Sequence, residues 1–191
     1  MQGNRQARKR VRTPPKPLTR AVLEELALAY VARFATSAGK LERYLQRKLR
    51  ERGWSEDEPD GADVPALISR FVDKGYVDDE AYARMRSSDL LRRGYGANRV
   101  RQALGEAGIV EGVRESVQPG EAARRRAALH MARKRRFGPF AVQPADREKR
   151  EKQIAALLRA GHSFDHARAV LEAESEERAE EWLAEAEEWE E

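Results

Sequence analysis

The sequence predicts an all-α protein, an elongated and curved array of small tandem helical units, and three observations carry that expectation. Apolar residues recur at helical spacing along most of the 191 residues, and no stretch alternates convincingly like a strand. Five segments close alike, with an apolar residue, then glycine four positions on, then a large residue: Leu49-Gly53-Trp54, Phe71-Gly75-Tyr76, Leu90-Gly94-Tyr95, Leu104-Gly108-Ile109 and Leu157-Gly161-His162. This is the pattern of a Schellman stop, in which glycine takes the left-handed conformation and the next residue packs back on the helix. Helices this short cannot bury their faces alone, so neighbouring units must stack.

Thr19 is placed to cap the first helix, with Leu18 and Leu23 as its hydrophobic staple. Leu26, Ala27, Tyr30 and Phe34 continue the periodicity. Ser37 caps a second helix with the cleanest stripe in the chain: Leu41, Tyr44, Leu45, the Lys48 stem and Leu49. Glu56 to Asp63, with Pro59 and Gly61, reads as an acidic linker. A third helix is expected over 64–74. Asp78 caps a fourth that reaches Leu90, with Val77 and Tyr82 as the staple and Asp79 and Glu80 favourably placed at its positive end. A fifth holds Val100, Ala103 and Leu104, and later helices are expected at 121–136, 146–160 and 163–173. A glutamate-rich extension closes the chain; Trp182 and Trp189, seven residues apart, share one side of it, which suggests docking on the body or on a partner.

Composition excludes several classes of function. Charged residues make up 37% of the chain and the mean hydropathy is -0.81. No apolar run approaches the roughly 18 residues of a membrane span. The basic opening has no apolar core of a secretory signal, and the expectation is a cytoplasmic protein. Cysteine is absent, which removes disulfides, thiolate metal sites and cysteine nucleophiles. The net charge of +4 hides an asymmetry. The first twenty residues carry Lys and Arg and no acid, whereas Arg178 is the sole cation among the glutamates from Glu172 to Glu191. Opposite tails on a basic body point to a polyanionic partner and to an acidic element able to compete for the same surface. Solubility alone would also account for the tails.

Catalytic and metal chemistry find little support. His162 and His166 are four apart with Asp165 between them, but His162 follows a glycine stop and precedes the cap Ser163, so a structural role is preferred to a metal site. Asp78, Asp79 and Glu80 are explained by capping. Gly94-Tyr95-Gly96 follows a helix, not a strand, and fails as a phosphate loop. No cofactor and no catalytic residue is expected.

Basic faces are the stronger signal. Arg43, Arg47 and Arg50 fall opposite the stripe of the second helix; Arg92, Arg93, Arg99 and Arg101 cluster around Tyr95. Arg124, Arg125 and Arg126 precede Arg133, Lys134, Arg135 and Arg136. Such arginines fit phosphates, acidic grooves of a protein partner, or a solvated face with i,i+4 pairs.

The chain resembles the RecX family of regulatory proteins. The resemblance rests on 37–49 (SAGKLERYLQRKL) followed by Gly53-Trp54, on 71–80 (FVDKGYVDDE), on 92–96 (RRGYG) and 100–104 (VRQAL), with a weaker echo in 157–164 (LLRAGHSF). It covers about Leu18 to Leu171. Lys40 stands where the family often has glutamate, and Phe137-Gly138-Pro139-Phe140 with Pro144 marks a divergent third repeat. The resemblance implies three tandem three-helix repeats, here 18–62 with the acidic linker, 63–112 and 113–173, after a basic arm 1–17 and before an acidic extension 174–191. It also implies a non-enzymatic, usually negative modulator of the RecA recombinase, acting in DNA repair, recombination and the SOS response. Such a protein engages the helical groove of the RecA–DNA filament and limits its growth, ATP hydrolysis and strand exchange. The expected state is a monomer whose partner is that filament, with single- or double-stranded DNA as a further contact. The contacts are expected from Arg43, Arg47, Arg50, Arg92, Arg93, Arg99, Arg101, Arg124, Arg125, Arg133, Lys134, Arg135 and Arg136. The alternative is a helical-repeat protein that binds nucleic acid directly.

Overall fold

Capping chemistry sets most of the element boundaries in the computed structural model, which describes residues 16–190. The expected basic arm therefore lies outside the described residues except for Lys16 and Pro17. In chain order the helices are α1 (Arg20–Arg33), α2 (Ala38–Arg52), α3 (Val64–Asp73), α4 (Asp79–Arg92), α5 (Ala97–Glu106), α6 (Glu111–Ser116), α7 (Glu121–Arg135), α8 (Arg147–Arg159), α9 (Phe164–Glu172) and α10 (Glu176–Glu190). One 3₁₀ turn, Gly138–Phe140, separates α7 from α8. Thr19, Ser37, Asp63, Asp78, Asp146 and Ser163 each accept a hydrogen bond from a first-turn amide, as their spacing requires. Among the described residues the pairing of Leu18 with Trp54 is an isolated β-bridge and no strand forms.

The Schellman stops hold at Gly75, Gly94, Gly108 and Gly161, with φ of 70°, 83°, 81° and 94°. In each, the amide after the glycine returns to the carbonyl four before it: Tyr76 to Phe71, Tyr95 to Leu90, Ile109 to Leu104 and His162 to Leu157. Gly53 differs. Its φ is 75° but its ψ is 167°, and it is itself the C-cap, bonded to the Leu49 carbonyl. Trp54 leaves the helix because Leu18 pairs with this segment through Leu18 N–H to the Gly53 carbonyl and Ser55 N–H to the Leu18 carbonyl. A fifth Schellman stop carries no glycine. Arg136 takes φ 54° at the end of α7, and the Phe137 amide returns to Ala132.

Three apolar cores divide the described residues. Leu18, Leu23, Leu41, Leu45, Val64, Leu67, Phe71 and Val77 form the first, so α3 packs with α1 and α2. Tyr82, Leu90, Val100, Leu104 and Ile109 form the second, with Val113 of α6 and Val117 just after it packed against it. Leu129, Met131, Leu157, Val170, Leu171 and Leu183 form the third. These groupings differ from the boundaries expected at 62 and 112. The 56–63 segment folds back on α1 rather than separating units, with Glu58 accepting from Arg20 N–H and Trp54 Nε1 donating to the Asp60 carbonyl. The acidic extension is also part of the third core, because Ala179, Leu183 and Ala186 of α10 are buried against α7. Trp182 packs on that core, while Trp189 stays 89% exposed, so the two tryptophans do not share a docked side.

The units join through the ends of their middle helices. Ser37 Oγ, at the start of α2, donates to the Ala107 carbonyl at the end of α5 at 2.6 Å. Asp79 of α4 accepts from the Ala38 amide at 2.8 Å, so its carboxylate serves the N-terminus of α2 as well as that of its own helix. Gly39 approaches Gly108 so closely that a Cβ on either would stand 2.9 Å from the other's Cα. At the second junction, Gly96 N–H donates to Ala160 O and Asn98 N–H to Gly161 O. Gly96 caps α5 without a side-chain bond because carbonyls left over at the end of α8 satisfy the orphan amides of α5. The helices α8, α5 and α2 thus meet C-terminus to N-terminus, an arrangement their dipoles favour.

Candidate partner-binding surfaces

Each unit places cations differently, and the structure does not bring all the expected arginines to one face. On α2, Leu41 and Leu45 are buried and Arg43, Arg47 and Arg50 are exposed, as the stripe requires. Arg43 is nonetheless a strut, because its guanidinium donates to the Glu106 carbonyl at 2.6 Å and ties α2 to the end of α5. Arg47 lies 3.8 Å from Glu51 and over the Tyr44 ring. Arg50 has no ion pair among the described residues.

On α5, Arg99 and Arg101 flank the buried Val100 and Leu104 on opposite sides, since two residues on a helix are about 200° apart. Arg99 donates to Gln102, and its backbone lies against Gly161. Arg101 reaches Gln118 at 3.5 Å and faces the other way, into a cavity of about 490 Å³. Around Tyr95 the structure puts Arg93 alone, 5.5 Å above the ring and 3.6 Å from Asp89. Arg92 lines a separate cleft of about 370 Å³ between α4 and α7, with Leu91, Arg126 and His130. It makes no ion pair among the described residues.

The cavity beside Arg101 lies where α5, α7, α9 and α10 converge, with Arg124, Glu121, His166 and Trp182 in its walls. Arg124 donates through Nε to the Pro119 carbonyl and has no carboxylate partner among the described residues. His166 Nε2 is 3.0 Å from Glu121, and its ring stands edge-on to Trp182. Burial alone would raise the Glu121 pKa, but hydrogen bonds from Arg125 and His166 hold it below the usual glutamate value. His162 is buried, with Nε2 3.0 Å from the Gly94 carbonyl. A carbonyl only accepts, so Nε2 carries the proton and Nδ1 is left buried without a partner. Burial lowers the His162 pKa. The two histidines therefore serve different contacts, and no cluster of three or more candidate metal ligands occurs among the described residues. Nor does any helix among them have the length and apolarity to cross a membrane.

Three cations of α7, Arg125, Arg126 and Arg133, are engaged by α10. Arg125 bonds Glu121 at 2.9 Å and the Trp182 carbonyl at 2.5 Å, with its guanidinium 4.9 Å over the Trp182 ring. Arg126 pairs with Glu187, and Arg133 with Glu180 while lying over Phe140. Lys134, Arg135 and Arg136 at the end of α7 are exposed. The charge asymmetry of the sequence points to an acidic element competing for the basic surface, but which arginines it takes depends on the fold, because the glutamates lie 47 and 61 positions away.

Comparison with known proteins bears on these surfaces. A family model described as RecX, second three-helix domain, matches residues 78–117, the span of α4 to α6. A regulatory protein RecX of Myxococcus xanthus is 35% identical over 175 residues, covering 86% of this chain and 93% of its own. That of Vibrio parahaemolyticus is 28% identical over 133 residues, covering 70% and 81%. The crystal structure of RecX from Lactobacillus salivarius shares the fold, with a TM-score of 0.61 at 19% identity over 79% of this chain and 93% of that one.

Proposed function

The chain belongs to the RecX family of regulatory proteins, and from that premise we propose that it binds the RecA–DNA filament in its helical groove. Bound there, it lowers filament growth, ATP hydrolysis and strand exchange without chemistry of its own. The observation that carries this reading beyond family membership is the set of arginines without carboxylate partners, Arg92, Arg101 and Arg124, presented in clefts around the junction of the second and third units. An arginine already paired gives up one carboxylate to gain another; these three have only a new partner to gain. A filament repeats the same subunit surface and the same phosphate spacing, so a stack of similar units can contact several subunits at once. Long-range attraction to the polyanion would speed association and would weaken as salt rises.

The test is RecA-dependent ATP hydrolysis on single-stranded DNA with Arg92→Glu, Arg101→Glu and the double variant beside the parent. Both side chains lie at the surface, so circular dichroism should stay helical and each change should cost within about 0.5 kcal/mol. The double variant should inhibit less, with the larger deficit at low salt. Equal potency at every salt concentration would remove this pair from the binding face, and no effect of the parent on hydrolysis would defeat the regulatory reading.

A further inference from the structure

An aromatic row on the first unit ends in a ring, Phe34, that neither the cores nor the arginine clefts use. Tyr30 of α1 stacks on Tyr44 of α2 with ring centroids 4.3 Å apart and an interplanar angle of 19°. Phe34 lies at the end of this pair, its centroid 5.3 Å from Tyr30 and its plane tilted by 51°. Tyr30 and Tyr44 pack against the first core, but Phe34 stands outside it and is 49% exposed. Its position is nonetheless fixed. Its amide bonds the Tyr30 carbonyl at 3.0 Å, and the next residues but one, Thr36 and Ser37, are buried. Cations border the row at both ends: Arg33 lies 5.4 Å over the Phe34 ring, and Arg47 and Lys48 lie 5.7 Å and 5.9 Å from the Tyr44 ring. Glu51 is the carboxylate that answers Arg47 and Lys48, and Arg33 has none among the described residues, so the face keeps a positive excess.

We propose that this face binds unpaired nucleotides of single-stranded DNA, one base stacking on Phe34 at the end of the Tyr30–Tyr44 row while Arg33, Arg47 and Lys48 hold the flanking phosphates. Aromatic rings interleaved with cations are what an unpaired strand requires, because each base offers a π-face and each linkage a charge. A duplex offers neither of these together, since its bases are already stacked. An acidic protein surface would use the cations and bury Phe34 by apolar contact, which leucine supplies as well as phenylalanine, whereas base stacking needs the ring. The choice of DNA over RNA rests on the regulatory reading, which places the chain on a DNA-bound filament.

The experiment uses the full chain and fluorescence anisotropy of a labelled oligo(dT) of about 20 nucleotides, a duplex of equal length and an oligo(rU), without recombinase. Phe34→Ala and Phe34→Leu should each weaken oligo(dT) binding about ten-fold and leave the duplex unchanged. Phe34→Trp should bind within about two-fold of the parent, with emission quenched by the bound strand more than in the parent. Parental affinity in Phe34→Leu, an equal loss on the duplex, or preference for oligo(rU) would each overturn the proposal, as would absence of oligo(dT) binding by the parent at low salt. Because no recombinase is present, these outcomes are separate from the ATP-hydrolysis test. A chain that inhibits hydrolysis but fails here loses only the stacking face; one that stacks bases but does not inhibit loses only the regulatory role.

Discussion

Glycines that look alike in sequence differ sharply in what surrounds them. Gly75 has φ 70° and open space where a side chain would project, so Gly75→Ala should cost about 1 kcal/mol from left-handed strain alone. Gly161 combines φ 94° with close contact to the Arg99 backbone, and a Cβ on Gly96 would run into the backbone of Gly161 and His162. There the backbone itself must move, and Gly161→Ala or Gly96→Ala should each cost about 2 kcal/mol more than Gly75→Ala. Urea midpoints compared across the three variants check this; equal shifts would mean that the junction yields freely. His162 makes a second prediction at this scale. Its folded pKa lies below the unfolded value near 6.5, so the unfolded chain binds the extra proton. Its contribution is present above about pH 6.5 and is lost as pH falls through the folded value. Glu121, also lowered, adds a loss that begins lower, as pH falls below the ordinary glutamate range. Stability from urea melts should decline as pH falls from about 7, first through His162 and then through Glu121, and His162→Gln should flatten the upper part of that decline. A slope unchanged in the variant would assign the decline to other groups.

Among the elements, α10 changes the meaning of the basic run on α7. An acidic tail that merely screened a basic face could be deleted cleanly, with tighter nucleic-acid binding as the result. Here deletion would also strip Ala179, Leu183 and Ala186 from the third core, so the two effects would be confounded. Charge removal separates them. Glu180→Gln and Glu187→Gln together release Arg133 and Arg126 while leaving the apolar seam in place. Both pairs are solvent-exposed, so stability should change by less than about 1 kcal/mol each. Affinity for a DNA oligonucleotide should rise at low salt and converge with the parent near 1 M salt, where the screening length falls to about 3 Å. Identical salt titrations for variant and parent would show that α10 does not compete for these arginines.

Across the whole molecule, stability and shape depend on two junctions built alike. At the first, α2 begins against the end of α5; at the second, α5 begins against the end of α8. Side chains reinforce both: Ser37, Asp79, Lys40 and Arg43 cross the first, and His162 reaches the Gly94 carbonyl across the second. Asp79→Ala removes the acceptor of the Ala38 amide and should cost about 1–2 kcal/mol, since it deletes a charged cap from one helix and a first-turn charge from another. Hydrogen exchange at Ala38 should accelerate, with protection inside the first core at Leu41 and Leu45 retained. Loss of protection throughout both units would instead show that the two cores fold as one cooperative body.

The amino-acid sequence by itself determined the helices other than α6, the caps Thr19, Ser37, Asp78 and Ser163, and four of the five glycine stops, because these depend on residues within five positions of one another. Family membership was legible for the same reason, being carried by short ordered motifs such as 37–49 and 71–80. What only the tertiary structure decided involves partners far apart in the chain. Gly53 is held out of the left-handed stop by Leu18, 35 positions earlier, and α3 joins the first core although the acidic segment before it resembles a linker. The short α6 depends on packing against α4 and α5 rather than on any cap of its own. The division of the arginines into struts, paired cations and free ones was equally invisible in the sequence. A side-chain charge is fixed by residue type, but its availability depends on the carboxylate or carbonyl that folding brings beside it.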